Sequence, residues 1–195
     1  MPMSIPPADL TTELLVETQS VTDLAFGRSE LEGEIIGLFD QFRNRLLRYV
    51  LSFGLPAYEG EEVIQEVFLA LFRHLQRGKS RSNLRGWIFR VAHNLALKQA
   101  HANRRVRETI ELRETIPATQ VDPCPNPEER LVGNQRQERL QGILRSLPKQ
   151  DQRCLYLRAE GLRYREISKV LDMSLGAVSI SLAKSLARLG RADGA

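Results

Sequence analysis

From Leu31 onward, apolar residues recur at steps of three and four: Leu31, Ile35, Leu38, Phe39, Phe42, Leu46, Leu47 and Val50 share one stripe, as a helix buried along one side requires. The Gly54-Leu55-Pro56 triplet predicts its end. A second helix is predicted over EGEEVIQEVFLALFRHL. Its carboxylates Glu59, Glu61 and Glu62 suit the positive end of a helix dipole, and Val63, Ile64, Val67, Phe68, Leu71 and Leu75 form its inner face. Glu62, Gln65 and Glu66 fall off that face and stay open to water or a partner. A third helix, from Leu84 to the arginines Arg104, Arg105 and Arg107, turns Leu84, Trp87, Ile88, Val91, Ala92 and Leu95 inward. At that spacing Trp87 reads as core more readily than as a stacking platform.

Between the second and third helices runs QRGKSRSN, a polar loop in which small residues allow close backbone approach to Arg77, Lys79 and Arg81. Ahead of the first stripe lies an acidic arm with three prolines in its first seven residues, where a short helix near Thr11 to Thr18 is predicted. After Val106 the periodicity lapses, and Pro117, Pro123, Pro125 and Pro127 argue against helix. This marks a linker. The predicted organisation is an acidic arm (1–30), a first module (31–107), a flexible linker (108–134) and a second module (135–195), all-α throughout.

The second module's apolar positions fit four short helices. Within it, Tyr164 to Leu171 reads as one helix, Asp172-Met173-Ser174 as a tight turn and Leu175 to Leu189 as another helix. Ile167, Val170, Val178 and Leu182 fill the angle and small Ser168 faces the crossing. This is helix-turn-helix spacing, in which the first helix braces so that the second can lie in a major groove. Asp172 stands where glycine is commoner and tolerates the left-handed conformation better than most residues. By helical period, Gly176, Ala177, Ser179, Ile180, Ser181, Lys184 and Ser185 are predicted to be exposed. Serines lack the bidentate reach of arginine, so weak, shape-tolerant reading is expected, with Arg163, Arg165, Lys184 and Arg188 meeting phosphates.

Charge sharpens the picture. The 195-residue chain has a net charge of +4, but the charge is segregated: Met1–Phe42 holds 8 acidic and 1 basic residue, Arg43–Arg107 4 and 13, Glu108–Asn134 6 and 2, Gln135–Ala195 6 and 12. Two basic modules flank an acidic strip. Basic blocks are compatible with ordinary solvated helix faces; beside a helix-turn-helix they are the electrostatic footprint of a nucleic-acid binder.

The combination resembles the extracytoplasmic-function sigma factors, the smallest class of bacterial RNA polymerase sigma subunits. The resemblance spans about Ile35 to Arg191. It rests on the acidic cluster before a Gln-Glu-x-Phe string (Glu59, Glu61, Glu62, Gln65, Glu66, Phe68). A Leu-Arg-x-Trp string extends it (Leu84, Arg85, Trp87, Ile88, Arg90, Val91, Ala92, Asn94). The second module adds Leu147-Pro148, Leu157-Arg158 and Gly161-Leu162-Arg163-Tyr164-Arg165-Glu166-Ile167. The resemblance implies that Glu62, Gln65 and Glu66 contact core RNA polymerase. It implies that Arg77, Lys79, Ser80, Arg81, Asn83, Arg90, Asn94, Lys98, Arg104 and Arg105 hold the unpaired non-template strand of the minus-10 element. It further implies that Arg163, Arg165, Ser174, Ala177, Ser179, Ser181, Lys184 and Arg188 meet minus-35 duplex. Promoter DNA and an anti-sigma factor are the other implied partners. No cofactor, metal or membrane insertion is expected.

Two departures from the family pattern stand out. Lys98 or Gln99 occupies a position where the family often has an acidic residue, and Ser179 and Ser181 replace its usual cations. The first adds charge to the strand-holding face; the second weakens expected minus-35 reading. The acidic arm reads as a competitor of DNA for the first module. A stand-alone helix-turn-helix regulator is the alternative, distinguished by binding duplex without polymerase. An enzyme fits poorly: His74, His93 and His101 lack ligand partners at metal spacing, Cys154 reads as a small apolar filler, and no phosphate-loop, serine-elbow or zinc-helix string occurs. Two cysteines make no disulfide scaffold, no apolar run is long enough for a span, and the first thirty residues carry one basic residue and no leader pattern. A cytoplasmic setting is expected.

Overall fold

The computed structural model describes residues 10–111 and 134–193, with side chains placed for 29–107, 137 and 139–191. Those residues form seven helices and no strand: α1 (Leu10–Leu51), α2 (Ala57–Gln76), α3 (Leu84–Glu111), α4 (Asn134–Ser146), α5 (Lys149–Ala159), α6 (Tyr164–Leu171) and α7 (Leu175–Asp193). The all-helical expectation therefore holds. Instead of a short helix and a separate one from Leu31, α1 is a single helix of 42 residues. No proline interrupts the sequence between Leu10 and Leu51, and isolated glycines cost only about 1 kcal/mol each. Likewise α3 runs four residues past Arg107 to Glu111, because the first proline comes later, at Pro117. The side chains of the acidic arm up to Arg28, and the proline tract with Cys124, lie outside the described residues.

Helices α1, α2 and α3 enclose a thick core. Leu46, Tyr49 and Val50 from α1, Ile64, Val67 and Leu71 from α2, and Ile88, Phe89 and Ala92 from α3 are fully buried. Aromatic edges lock the crossings, with Phe42 and Tyr49 meeting the Phe89 ring at centroid distances of 6.4 and 5.7 Å. A polar clamp closes one end: buried Glu59 accepts hydrogen bonds from Asn103 Nδ2 at 2.6 Å and Gln99 Nε2 at 3.4 Å. Glu59 thus ties α2 to α3 and leaves the exposed acidic set. At the other end Asn83, at φ 56°, begins α3 by accepting the Gly86 N–H through Oδ1 at 3.2 Å. A Cβ on residue 86 would lie 2.6 Å from Asn83 Nδ2, so only glycine admits this cap.

Helices α4 to α7 make a thinner body around Leu147, Cys154, Leu157, Leu162, Ile167, Val170, Val178 and Leu182. The eight-residue α6 is too short to stand alone. It is held by packing and by its first turn, where Glu166 Oε2 accepts the Arg163 N–H at 2.6 Å. Asp172 takes the left-handed conformation expected of it, at φ 52°. The chain then bends by 106° between α6 and α7, and Ser168 Oγ donates to the Met173 carbonyl at 2.6 Å to pin the turn. The bounds of α6 and the start of α7 coincide with those read from sequence, while α7 continues four residues past the expected end at Leu189, to Asp193.

The two bodies touch, α6 lying against α3. Tyr156 Oη donates to the Arg45 carbonyl at 2.6 Å, Arg45 Nη1 lies 3.6 Å from Glu160 Oε2, and Arg85 Nη1 donates to the Glu160 carbonyl at 3.4 Å. The Arg153 guanidinium sits over the Phe53 ring at 4.0 Å, and Tyr49 and Tyr156 approach with centroids 5.2 Å apart. Beneath this contact Tyr49 Oη lies 2.9 Å from His93 Nδ1. Burial, with Arg153 nearby, lowers His93 from its ordinary 6.5 to about 4, and burial raises Tyr49. Burial thus favours the neutral form of both partners in this contact.

Candidate nucleic-acid interface

Three faces carry the residues singled out in the sequence. On α2, Glu62, Gln65 and Glu66 are exposed, and Leu69, 49% exposed, continues the stripe at the next turn. Glu61 is drawn aside to Arg43 Nη2 at 2.5 Å. The open face is thus acidic and amide-bearing with one apolar residue at its end, a composition suited to a partner helix.

The second face surrounds the α2–α3 loop. Arg77, Lys79, Ser80, Arg81 and Asn83 are all exposed. Loop shape is set from within: Gly78 adopts φ 64°, Ser80 and Ser82 hydroxyls are 2.7 Å apart, and His74 Nε2 lies 3.2 Å from the Ser80 carbonyl. A carbonyl only accepts, so His74 carries its proton on Nε2. The His74 ring also lies against Trp87, centroids 4.7 Å apart. Trp87 is half-buried, with one part in the core and the rest on the loop side. Arg81 Nε is bound to Glu34 Oε2 at 3.2 Å, so this cation braces the loop against α1. Along α3, Arg90, Asn94 and Lys98 are exposed at four-residue steps and line one side of the helix; Arg104 and Arg105 follow, also exposed. A cationic rail beside a loop with an aromatic pair suits an unpaired strand: charge tracks the backbone, rings receive bases.

The third face is the helix-turn-helix. Arg163 and Arg165 before and on α6, and Ser179, Lys184 and Arg188 on α7, are exposed. Ser174 caps α7, its Oγ accepting the Ala177 N–H at 3.1 Å. Half-buried Ala177 leaves the groove side of the first turn smooth. Ser181 departs from expectation: it is 6% exposed, and its Oγ donates to Asp151 Oδ1 at 2.5 Å. Ser185, expected outside, is fully buried. The reason is that α4, α5 and α6 all pack on α7, so its buried strip is wider than the Val178 and Leu182 stripe alone. Ser181 is a tether between α5 and α7, and the serine at this position alters the interior, not the groove face.

Sequence reasoning missed Arg45, Arg153, Tyr156 and Glu160, which join the two bodies. Arg153, Tyr156 and Glu160 recur at three- and four-residue steps along α5 and its C-cap, the one local signal they leave. The Cys154 thiol is buried and raised chiefly by that burial, which disfavours the thiolate. Among the described residues no cluster of His, Cys, Asp or Glu could hold a metal ion, and no single helix is long and apolar enough to cross a membrane.

Comparison with known proteins agrees with both modules. Residues 38–106 match the family model for sigma-70 region 2, and residues 137–189 match that for sigma-70 region 4. The "ECF RNA polymerase sigma factor SigE" of Mycolicibacterium smegmatis is 31% identical over 144 residues, covering 72% of this chain and 54% of that protein. The chain thus spans about half the length of that relative. The "ECF RNA polymerase sigma-E factor" of Haemophilus influenzae is 26% identical over 178 residues, covering 87% of this chain and 88% of that protein. In fold, the chain resembles the sigma factor RpoE of Bartonella quintana, solved with the anti-sigma factor NepR. The TM-score is 0.57 at 16% identity, over 82% of this chain and 96% of that one. CnrH, solved with the cytosolic domain of CnrY, aligns with a TM-score of 0.54 at 20% identity, over 86% of this chain and 92% of that one. Two family models in the expected order, together matching more than half of the residues, place this chain in the sigma-70 family of RNA polymerase sigma factors, in its extracytoplasmic-function group.

Proposed function

We propose that the chain is a dissociable transcription initiation factor, working in the cytoplasm: it binds core RNA polymerase, reads two promoter elements with its two modules and assists strand separation. The observation that carries this reading is the pairing, within one sigma-70 chain, of an exposed cationic rail beside an aromatic loop with an exposed basic helix-turn-helix. In this assignment Glu62, Gln65 and Glu66 dock on the polymerase. The loop from Arg77 to Asn83, with Arg90, Asn94, Lys98, Arg104 and Arg105, holds unpaired non-template strand of the minus-10 element. Unpairing and extruding a base costs a few kcal/mol, offset by stacking and phosphate attraction.

Arg163, Arg165, Lys184 and Arg188 hold the phosphates of the minus-35 duplex, while Ser174, Ala177 and Ser179 face its groove. Catalysis is left to the polymerase; no covalent step is assigned to this chain. A protein inhibitor of the kind bound to the Bartonella relative is a fitting regulator. The module boundaries 31–107 and 135–195 enclose the two basic blocks, and the first begins with the apolar stripe from Leu31. These faces do not favour a stand-alone regulator, because the α2 acidic surface and the loop would then have no task.

The test is to add purified protein to core polymerase and a random promoter library, then sequence the transcripts. Specific initiation at shared start sequences is expected, weakening steeply with added salt. Absence of any directed initiation would remove the proposal.

A further inference from the structure

We propose that His74 is a positioning residue for strand capture: its imidazole clasps the α2–α3 loop onto Trp87, so that the loop meets the unpaired minus-10 strand already folded. The inference rests on the assignment of that loop to the strand, made above. Three ties converge on this one residue. Its ring Nε2 lies 3.2 Å from the Ser80 carbonyl, its own carbonyl accepts the Lys79 N–H at 3.3 Å, and its ring lies against the Trp87 indole with centroids 4.7 Å apart. A single side chain in the last turn of α2 thus joins the middle of the loop to the first turn of α3. Neighbouring bonds hold the same stretch. Gly78 donates its N–H to the Leu75 carbonyl at 2.9 Å, and the Ser82 N–H reaches the Ser80 hydroxyl at 3.1 Å.

Ordering a mobile loop costs conformational entropy for every residue fixed, and a loop ordered in advance spares its ligand that cost. The clasp supplies the order. Arg77 and Lys79, exposed and with side chains outside these ties, are then carried on a fixed frame. The effect is confined to one step. Glu62, Gln65 and Glu66 stand on earlier turns of α2, and the helix-turn-helix is built from α6 and α7, so neither polymerase binding nor duplex reading depends on the clasp. Removing the ring also spares the core. His74 is half-buried, and the residues by which α2 packs, Ile64, Val67 and Leu71, are fully buried without it.

The test uses the full-length chain with core polymerase and two probes copied from a promoter that the library recovers. One is a single-stranded oligonucleotide of the non-template minus-10 strand, the other a duplex carrying the minus-35 element alone. His74→Ala is expected to weaken capture of the oligonucleotide about tenfold, from the loss of one neutral hydrogen bond and one ring contact, and to leave duplex and polymerase affinities unchanged. His74→Gln keeps a donor for the Ser80 carbonyl and His74→Phe keeps a ring against Trp87, so each is expected to recover part of the loss. Trp87, the one tryptophan of the chain, reports the clasp directly: its emission is expected to shift in His74→Ala and His74→Gln, which lose the ring contact, and to stay near wild type in His74→Phe. If His74→Ala loses helical content, the Gln and Phe variants carry the same comparison. Equal losses on oligonucleotide and duplex would leave His74 a merely structural role and overturn the proposal, as would unchanged capture in all three variants. A wild type that captures no oligonucleotide overturns the assignment of the loop to the strand, and this proposal with it, an outcome distinct from capture by wild type and variants alike.

Discussion

The two modules reach similar tasks by opposite means. The first uses three long helices, whose middle turns bury a continuous core of aromatic and branched residues, and carries the residues proposed to hold a strand in the α2–α3 loop and along the exposed side of α3. The second uses four helices of 8 to 19 residues, and its reading helix is part of the core it stands on. Long helices let structure and recognition separate. Short ones force them together, so that α4, α5 and α6 all cover α7 and only its remaining side is open to solvent.

This contrast can be broken experimentally. The largest effect is expected for Phe89→Ala, which opens a cavity where α1 and α3 cross: about 3–5 kcal/mol, read as loss of the three-helix body in chemical denaturation. Leu157→Ala should cost about 2–4 kcal/mol and unfold the second body ahead of the first. A single shared transition in that variant would show that the contact between the bodies couples the two cores.

Next comes acidification. His93 binds its proton far less readily folded, at about 4, than unfolded, at 6.5. The unfolded chain therefore takes up a proton first as pH falls through that window, and stability is present above it and lost within it. The full gap is worth about 3 kcal/mol, trimmed to about 2 by solvent at the rim. His93→Gln should flatten the dependence between pH 6.5 and 4 in thermal melts.

A functional prediction of about tenfold follows: Gln65→Ala or Glu66→Ala should weaken polymerase binding by that factor without changing helical content. Intact affinity in both would move the docking face elsewhere. The smallest change is expected at Asp172→Gly, which relieves a left-handed non-glycine residue and should stabilise the second body by about 1 kcal/mol in the same melts.

Local chemistry made much of this readable in advance. The helix-turn-helix boundaries could be placed from sequence because the turn, its left-handed Asp172 and the flanking apolar steps are all set within ten residues. The exposure of Glu62, Gln65 and Glu66 followed from helical period alone. What could not be read depends on partners far along the chain. Ser181 looks exposed on a helix drawn by itself; it turns inward because α5, thirty residues earlier, lays Asp151 beside it. Tyr156 and Arg45, 111 residues apart, leave no joint pattern in sequence. The fused length of α1 has another reason: no proline lies between Leu10 and Leu51, and a helix that merely continues leaves no boundary signal.

The Asn83–Gly86 cap limits how this protein can be redesigned. Before Asn83, the side chains of exposed Arg77 and Lys79 take no part in holding the loop and tolerate replacement better than Gly78, Ser80 or Arg81, which shape it or brace it on α1, so new target preferences are best written at those two positions. Position 86 admits no such freedom, since one added methyl group would evict the amide that starts α3. A library that randomises the loop but spares this hinge pair will retain folded members; one that includes the pair will mostly sample chains whose loop has lost its anchor.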